Sequence, residues 1–98
     1  MNNNMKITVL GSGSSGGVPL VGSYWGECNP NNPKNIRTRV SILVEVDGKS
    51  ILIDTSPELR IQAINNNFKT VDAVCWTHAH ADHAHGIDDL RQFLWRRK

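Results

Sequence analysis

All four histidines of the chain fall within eight consecutive positions, in the stretch "THAHADHAHG" from Thr77 to Gly86. Inside it, His78, His80, Asp82 and His83 spell H-x-H-x-D-H. Imidazole nitrogen and carboxylate oxygen are the donors that zinc, iron and manganese prefer, and packing a hydrophobic core requires no such cluster. A solvated histidine-rich turn, or an adventitious metal binder, would show the composition without this spacing. At the exit of a strand, residues two apart project to the same side, so His78 and His80 can converge on one metal. Asp82 and His83, where the chain turns toward a helix, can then face a second. Two metals about 3.5–4 Å apart deprotonate a bridging water and clamp the oxygens of a phosphate or acyl group, which is hydrolase chemistry. His85 lies outside the pattern and is expected at the surface. Asp82 is also placed to cap the helix that follows.

A second motif competes for attention. "VLGSGSSGGVP", Val9 to Pro19, contains the G-x-G-x-x-G fingerprint of a dinucleotide turn in Gly11, Gly13 and Gly16. That fold demands a helix starting inside the loop and an acidic residue about 20 positions on. Pro19 and Gly22 interrupt the helix, and "NPNNPKNIRT" supplies no acid-ended strand. The glycines therefore read as a turn that lets the backbone pass close to something else.

The elements that must position these groups follow from patterning. Lys6 to Leu10 reads as a first strand, and Gly22 to Arg39, rich in Asn, Pro and Gly, as a long loop. The β-branched runs Val40–Val46 and Ser50–Ile53 flank Asp47-Gly48, a hairpin signal. Ser56-Pro57-Glu58 predicts a helix over Pro57–Asn66 with Leu59, Ala63 and Ile64 inward. Val71–Thr77 predicts a buried strand with Cys75 in the core, and Gly86–Arg97 a helix burying Ile87, Leu90, Phe93 and Leu94.

The composition sets bounds. The chain has 98 residues, 39% apolar and 20% charged, enough for one domain at most. A net charge of +2 implies neither nucleic acid nor membrane as a partner, and Arg96, Arg97 and Lys98 form only a short basic tail. Two separated cysteines and no signal-like apolar segment predict a reducing, cytoplasmic setting and no membrane span.

Taken together, "THAHADHAHG", the strand ending in aspartate "ILIDTSPELR" and the glycine loop "VLGSGSSGGVP" resemble the metallo-β-lactamase superfamily, in its order and over most of the chain. The glycine loop, "WGECNPNNPKNIRTR" and "GIDDLR" are most similar to its phosphoribosyl cyclic phosphodiesterase branch, with ribonuclease Z next. The resemblance implies an α/β fold of the α+β type, the N-terminal half of an αββα sandwich. It makes His78 and His80 ligands of one divalent ion, and Asp82 and His83 ligands of the other. It places Asp54 behind the ligands as an orienting group, and Gly11, Gly13, Gly16 and Gly17 beside the metals. Zinc is the expected metal, with manganese or iron as alternatives.

Asp54 on its own reads either as a strand-end solvator or as the outer acceptor that metal-bound histidines need. Arg37 and Arg39 read equally as phosphate binders or as loop solvators. Cys28, alone in its loop, cannot make the extra zinc site that some relatives carry.

Four groups shared by two metals give two ligands each, whereas a catalytic zinc takes three protein ligands plus water. The resemblance assigns the missing ligands to a second half of the sandwich, so the chain reads as the N-terminal portion of one domain. The sequence thus predicts a metal-dependent hydrolase of phosphodiester bonds, in which Asp82 and Asp54 serve the reaction. The substrate is expected to be a small phosphodiester, with RNA as the alternative. A catalytically incomplete metal-binding chain needing a second copy, or a complementing C-terminal chain, is the other reading.

Overall fold

The computed structural model describes residues 4–77 and 79–96, the last three as backbone. Four strands form one sheet in the order β1-β2-β3-β4. Strand β1, Met5–Gly11, pairs antiparallel with β2, Ser41–Val46, which pairs antiparallel with β3, Lys49–Ile53. The β2–β3 turn holds Asp47 at φ 51° and Gly48 at φ 76°, the left-handed pair that matches strand twist in a two-residue hairpin. The chain then leaves the sheet through helix α1, Leu59–Asn65, and returns as β4, Ala73–Cys75, parallel to β3. Beyond β4 come α2, Ala81–Ala84, a 3₁₀ turn over His85–Asp89, and α3, Leu90–Arg96.

Alternation along the strands splits the sheet into two faces. Leu10, Leu43 and Leu52 point to one face and pack with Leu59 and Ala63 of α1, Val71, and Phe93 of α3. Phe68 packs against this core, its ring tilted 40° to that of Phe93 with the centroids 5.8 Å apart. Met5, Ile7 and Val9 point the other way and remain about 60% exposed. Among the described residues that second face has no covering layer, and no helix is long and apolar enough to cross a membrane.

Several predicted elements shift. Helix α1 begins two residues late because Ser56 to Glu58 form a turn, in which Ser56 Oγ accepts from Glu58 N at 3.1 Å and Ser56 O from Leu59 N at 3.0 Å. Its inner arc is therefore Leu59, Gln62 and Ala63, while Ile64, about 140° round the helix from Leu59, is exposed. Strand β4 is three residues rather than seven, and Cys75 is exposed, because it shares the uncovered face with Ala73. The helix expected from Gly86 is broken into the 3₁₀ turn and α3, leaving Ile87 exposed, Leu90 half-buried and Phe93 buried. The expectation for the Leu94 side chain lies outside the described residues.

Candidate metal centre

Strands β1, β3 and β4 run in the same direction, so their carboxyl ends share one edge of the sheet. The glycine loop leaves β1 there, the segment Asp54–Ser56 leaves β3, and the histidine-bearing loop follows β4. Topology alone thus gathers the three motifs.

Asp54 is 4% exposed and adopts φ 66°, a left-handed conformation that a non-glycine residue keeps only where its surroundings impose it. Its N–H donates to Cys75 O at 2.8 Å, and its carbonyl accepts from Ser41 Oγ at 2.9 Å. The carboxylate accepts from Thr77 N (2.7 Å), Thr77 Oγ1 (2.9 Å) and His83 Nδ1 (2.6 Å). Burial alone would push the Asp54 carboxyl up. The bonds from His83 and from Thr77 outweigh it and hold the group below its ordinary value.

An ionised Asp54 can only accept, so His83 carries a proton on Nδ1. Its Nε2 lies 3.2 Å from Asp82 Oδ2. At that distance the two atoms are placed to share a cation, either a proton on Nε2 or a metal ion. Zinc held by nitrogen and oxygen at 2.0–2.1 Å in a tetrahedron separates its donors by about 3.3 Å, so the Asp82–His83 pair fits a divalent ion in donor type and in spacing. His80 sits exposed at the N-cap position of α2, and His83 N donates to His80 O at 2.9 Å. Asp82 lies in the first turn of α2 without capping it; no side chain caps this helix. His85 is exposed. His78 lies outside the described residues, among which no group of three or more His, Cys, Asp or Glu side chains gathers as a metal cage.

The loop is held from behind by residues the sequence reading passed over. Thr55 N donates to His83 O (2.8 Å), and Gly86 N to Thr55 O (3.0 Å). Thr55 Oγ1 donates to Ala84 O (3.1 Å) and accepts from Trp76 Nε1 (2.9 Å). Gly86 is pressed so closely on this segment that a Cβ there would lie 1.9 Å from Ser56 O. The available signal was "DTS": three polar residues directly after an apolar strand, all of which prove buried.

The glycine loop folds back on the return limb of the long loop. Gly13 N donates to Thr38 O at 2.7 Å, and Val18 and Arg37 exchange two backbone bonds at 2.9 Å. No helix starts in this loop. Arg39 pairs with Glu58 at 3.5 Å beside Gly17, whereas Arg37 is exposed.

Residues 49–98 match the family model of the beta-lactamase superfamily domain. The chain belongs to that superfamily. A diphosphatase of the PhnP family superposes on this β-lactamase-superfamily chain with a TM-score of 0.86 at 43% identity, covering 96% of this chain and 37% of its own. Zinc-bound PqqB from Methylobacterium extorquens superposes with a TM-score of 0.70 at 27% identity, covering 91% and 37%. An octanoyltransferase of Porphyromonas gingivalis is 46% identical over 95 residues, 96% of this chain and 19% of that protein. Ribonuclease Z of Alkaliphilus oremlandii is 33% identical over 88 residues, 88% of this chain and 23% of that enzyme. The fold is therefore that of the metallo-β-lactamases, in the α/β class. The chain spans about a fifth of the length of the curated relatives it matches.

Proposed function

We propose that the edge of the sheet carries a dinuclear, metal-dependent phosphodiester hydrolase centre, with His78 and His80 on one divalent ion and Asp82 and His83 on the other. Zinc is the expected metal, as in the PqqB neighbour, with manganese or iron as alternatives. The observation that carries the proposal is the 3.2 Å approach of His83 Nε2 to Asp82 Oδ2 while Nδ1 is engaged by Asp54. When bound, the metals supply an acidified water and a clamp on the oxygens of phosphorus. The chain's own residues set the geometry: Asp54 holds the proton on His83 Nδ1 and aims Nε2 outward, and Thr77 fixes Asp54 in turn. Such outer partners typically change metal affinity by about 10- to 100-fold when removed. A small phosphodiester is the expected substrate, in line with similarity to a diphosphatase, which also cleaves bonds at phosphorus, and similarity to ribonuclease Z makes RNA the alternative.

The test is elemental analysis of untagged protein beside the Asp82→Asn variant. About two zinc ions per chain, falling to one or fewer in the variant, is the expected result. Less than one per unsubstituted chain overturns a self-sufficient centre.

A second reading is favoured by the uncovered face of Met5, Ile7 and Val9: further polypeptide, a second copy or a complementing chain, covers the sheet and completes the ligand set. Light scattering with metal analysis of each size fraction separates the two. Zinc confined to an associated fraction supports the second reading, and zinc in the monomer excludes it.

A further inference from the structure

Gln62 is 2% exposed on the inner arc of α1, between Leu59 and Ala63, where an apolar side chain would pack. A buried amide is costly unless its bonds are made, and this one is well supplied. Gln62 Oε1 accepts from Ser56 Oγ at 2.8 Å, and Nε2 donates to Thr38 Oγ1 at 3.0 Å and to Arg39 O at 2.9 Å. Isoleucine is not in short supply here: Ile61 and Ile64, its helix neighbours, are exposed.

The partners of Gln62 lie against the two loops of the site. Thr38 Oγ1 donates onward to Leu10 O at 3.3 Å, where β1 turns into the glycine loop. A Cβ on Gly11 would lie 2.6 Å from Gln62 Nε2 and 2.5 Å from Thr38 Oγ1, so the amide is seated against bare backbone. On the other side, Ser56 is the residue whose carbonyl Gly86 abuts, three positions after His83. Hydrogen bonds thus run from the root of the glycine loop through Thr38 and Gln62 to Ser56, whose carbonyl packs directly on Gly86 at the end of the histidine loop. We infer that Gln62 is a positioning residue that sets the glycine loop against the metal loop. The inference deepens the hydrolase reading and rests on it for the purpose of that alignment, though not for the contacts themselves.

Gln62→Met keeps length and apolar packing and removes all three bonds. In metal-free protein, amide exchange at Gly13, whose N–H donates to Thr38 O, should quicken roughly tenfold relative to core Leu52, the population change expected for one lost hydrogen bond. Thr38→Val, which cuts only the glycine-loop side, should quicken Gly13 and leave Gly86 unchanged, and it serves if Gln62→Met fails to fold. Added zinc should move the amide resonances of both His83 and Gly13 in the unsubstituted protein. In Gln62→Met it should move His83 alone. A Gly13 amide that exchanges in step with Leu52 in both variants, or that still follows zinc in Gln62→Met, overturns the inference. Absence of any zinc response at His83 in unsubstituted protein breaks the metal reading instead, and the exchange comparison still decides the role of Gln62.

Discussion

The exit of β3 and the loop after β4 lie side by side but are built in opposite ways. Asp54, Thr55 and Ser56 are at most 4% exposed, and their side chains are spent on hydrogen bonds within the protein. His80 is exposed, and Asp82 and His83 are only half-buried. The groups that offer themselves to a ligand are thus held by groups that do not. This division meets two demands that conflict in one residue: a ligand needs an open coordination side, whereas rigidity needs burial and satisfied bonds.

The comparison predicts that substitutions in the supporting segment and its immediate contacts cost stability, whereas those in the loop cost metal. The largest effect is expected from Gly86→Ala, where the new methyl meets a backbone carbonyl that cannot swing aside. Denaturant unfolding should show a loss of about 3 kcal/mol, at the upper end for overpacking, and a loss below about 1 kcal/mol would mean that the two segments are not locked. Thr55→Val preserves shape and deletes the hydroxyl shared by Ala84 O and Trp76 Nε1. A loss of about 1 kcal/mol is expected by the same measurement, because the half-exposed indole can turn to water. The smallest effect belongs to Asp82→Asn, whose amide can donate to His83 Nε2. Metal-free stability should change by no more than about 0.5 kcal/mol while metal affinity falls, and a larger loss of stability would erase the distinction between support and ligand.

The same division explains what could be read from the sequence. The proposed ligands advertise themselves: no packing requirement places His78, His80, Asp82 and His83 at that spacing, and the strand ending in Asp54 stood out by its charge. The hairpin at Asp47-Gly48 was equally legible, because its turn demands two left-handed residues. Supporting residues carry a weaker mark, in "DTS", or none. Gln62, Thr55 and Gly86 are common residue types whose importance comes from neighbours 20 to 30 positions away. The α1 register slipped for a related reason: a turn of Ser56 to Glu58 delays the helix and substitutes Gln62 for Ile64 on the inner face. Cys75 and Ile87 read as core by hydrophobicity, yet each points where the described residues provide no cover.

The central claim is that Asp54 commits His83 to one protonation pattern, leaving Nε2 to share a cation with Asp82. Long-range ¹H–¹⁵N correlation of the His83 ring, recorded before and after one and two equivalents of zinc, tests it most directly. The account predicts a proton on Nδ1 throughout, and with zinc an unprotonated Nε2 whose shift moves with metal occupancy. A ring that keeps its Nε2 proton in the presence of zinc, or that carries its proton on Nε2 alone, would contradict it.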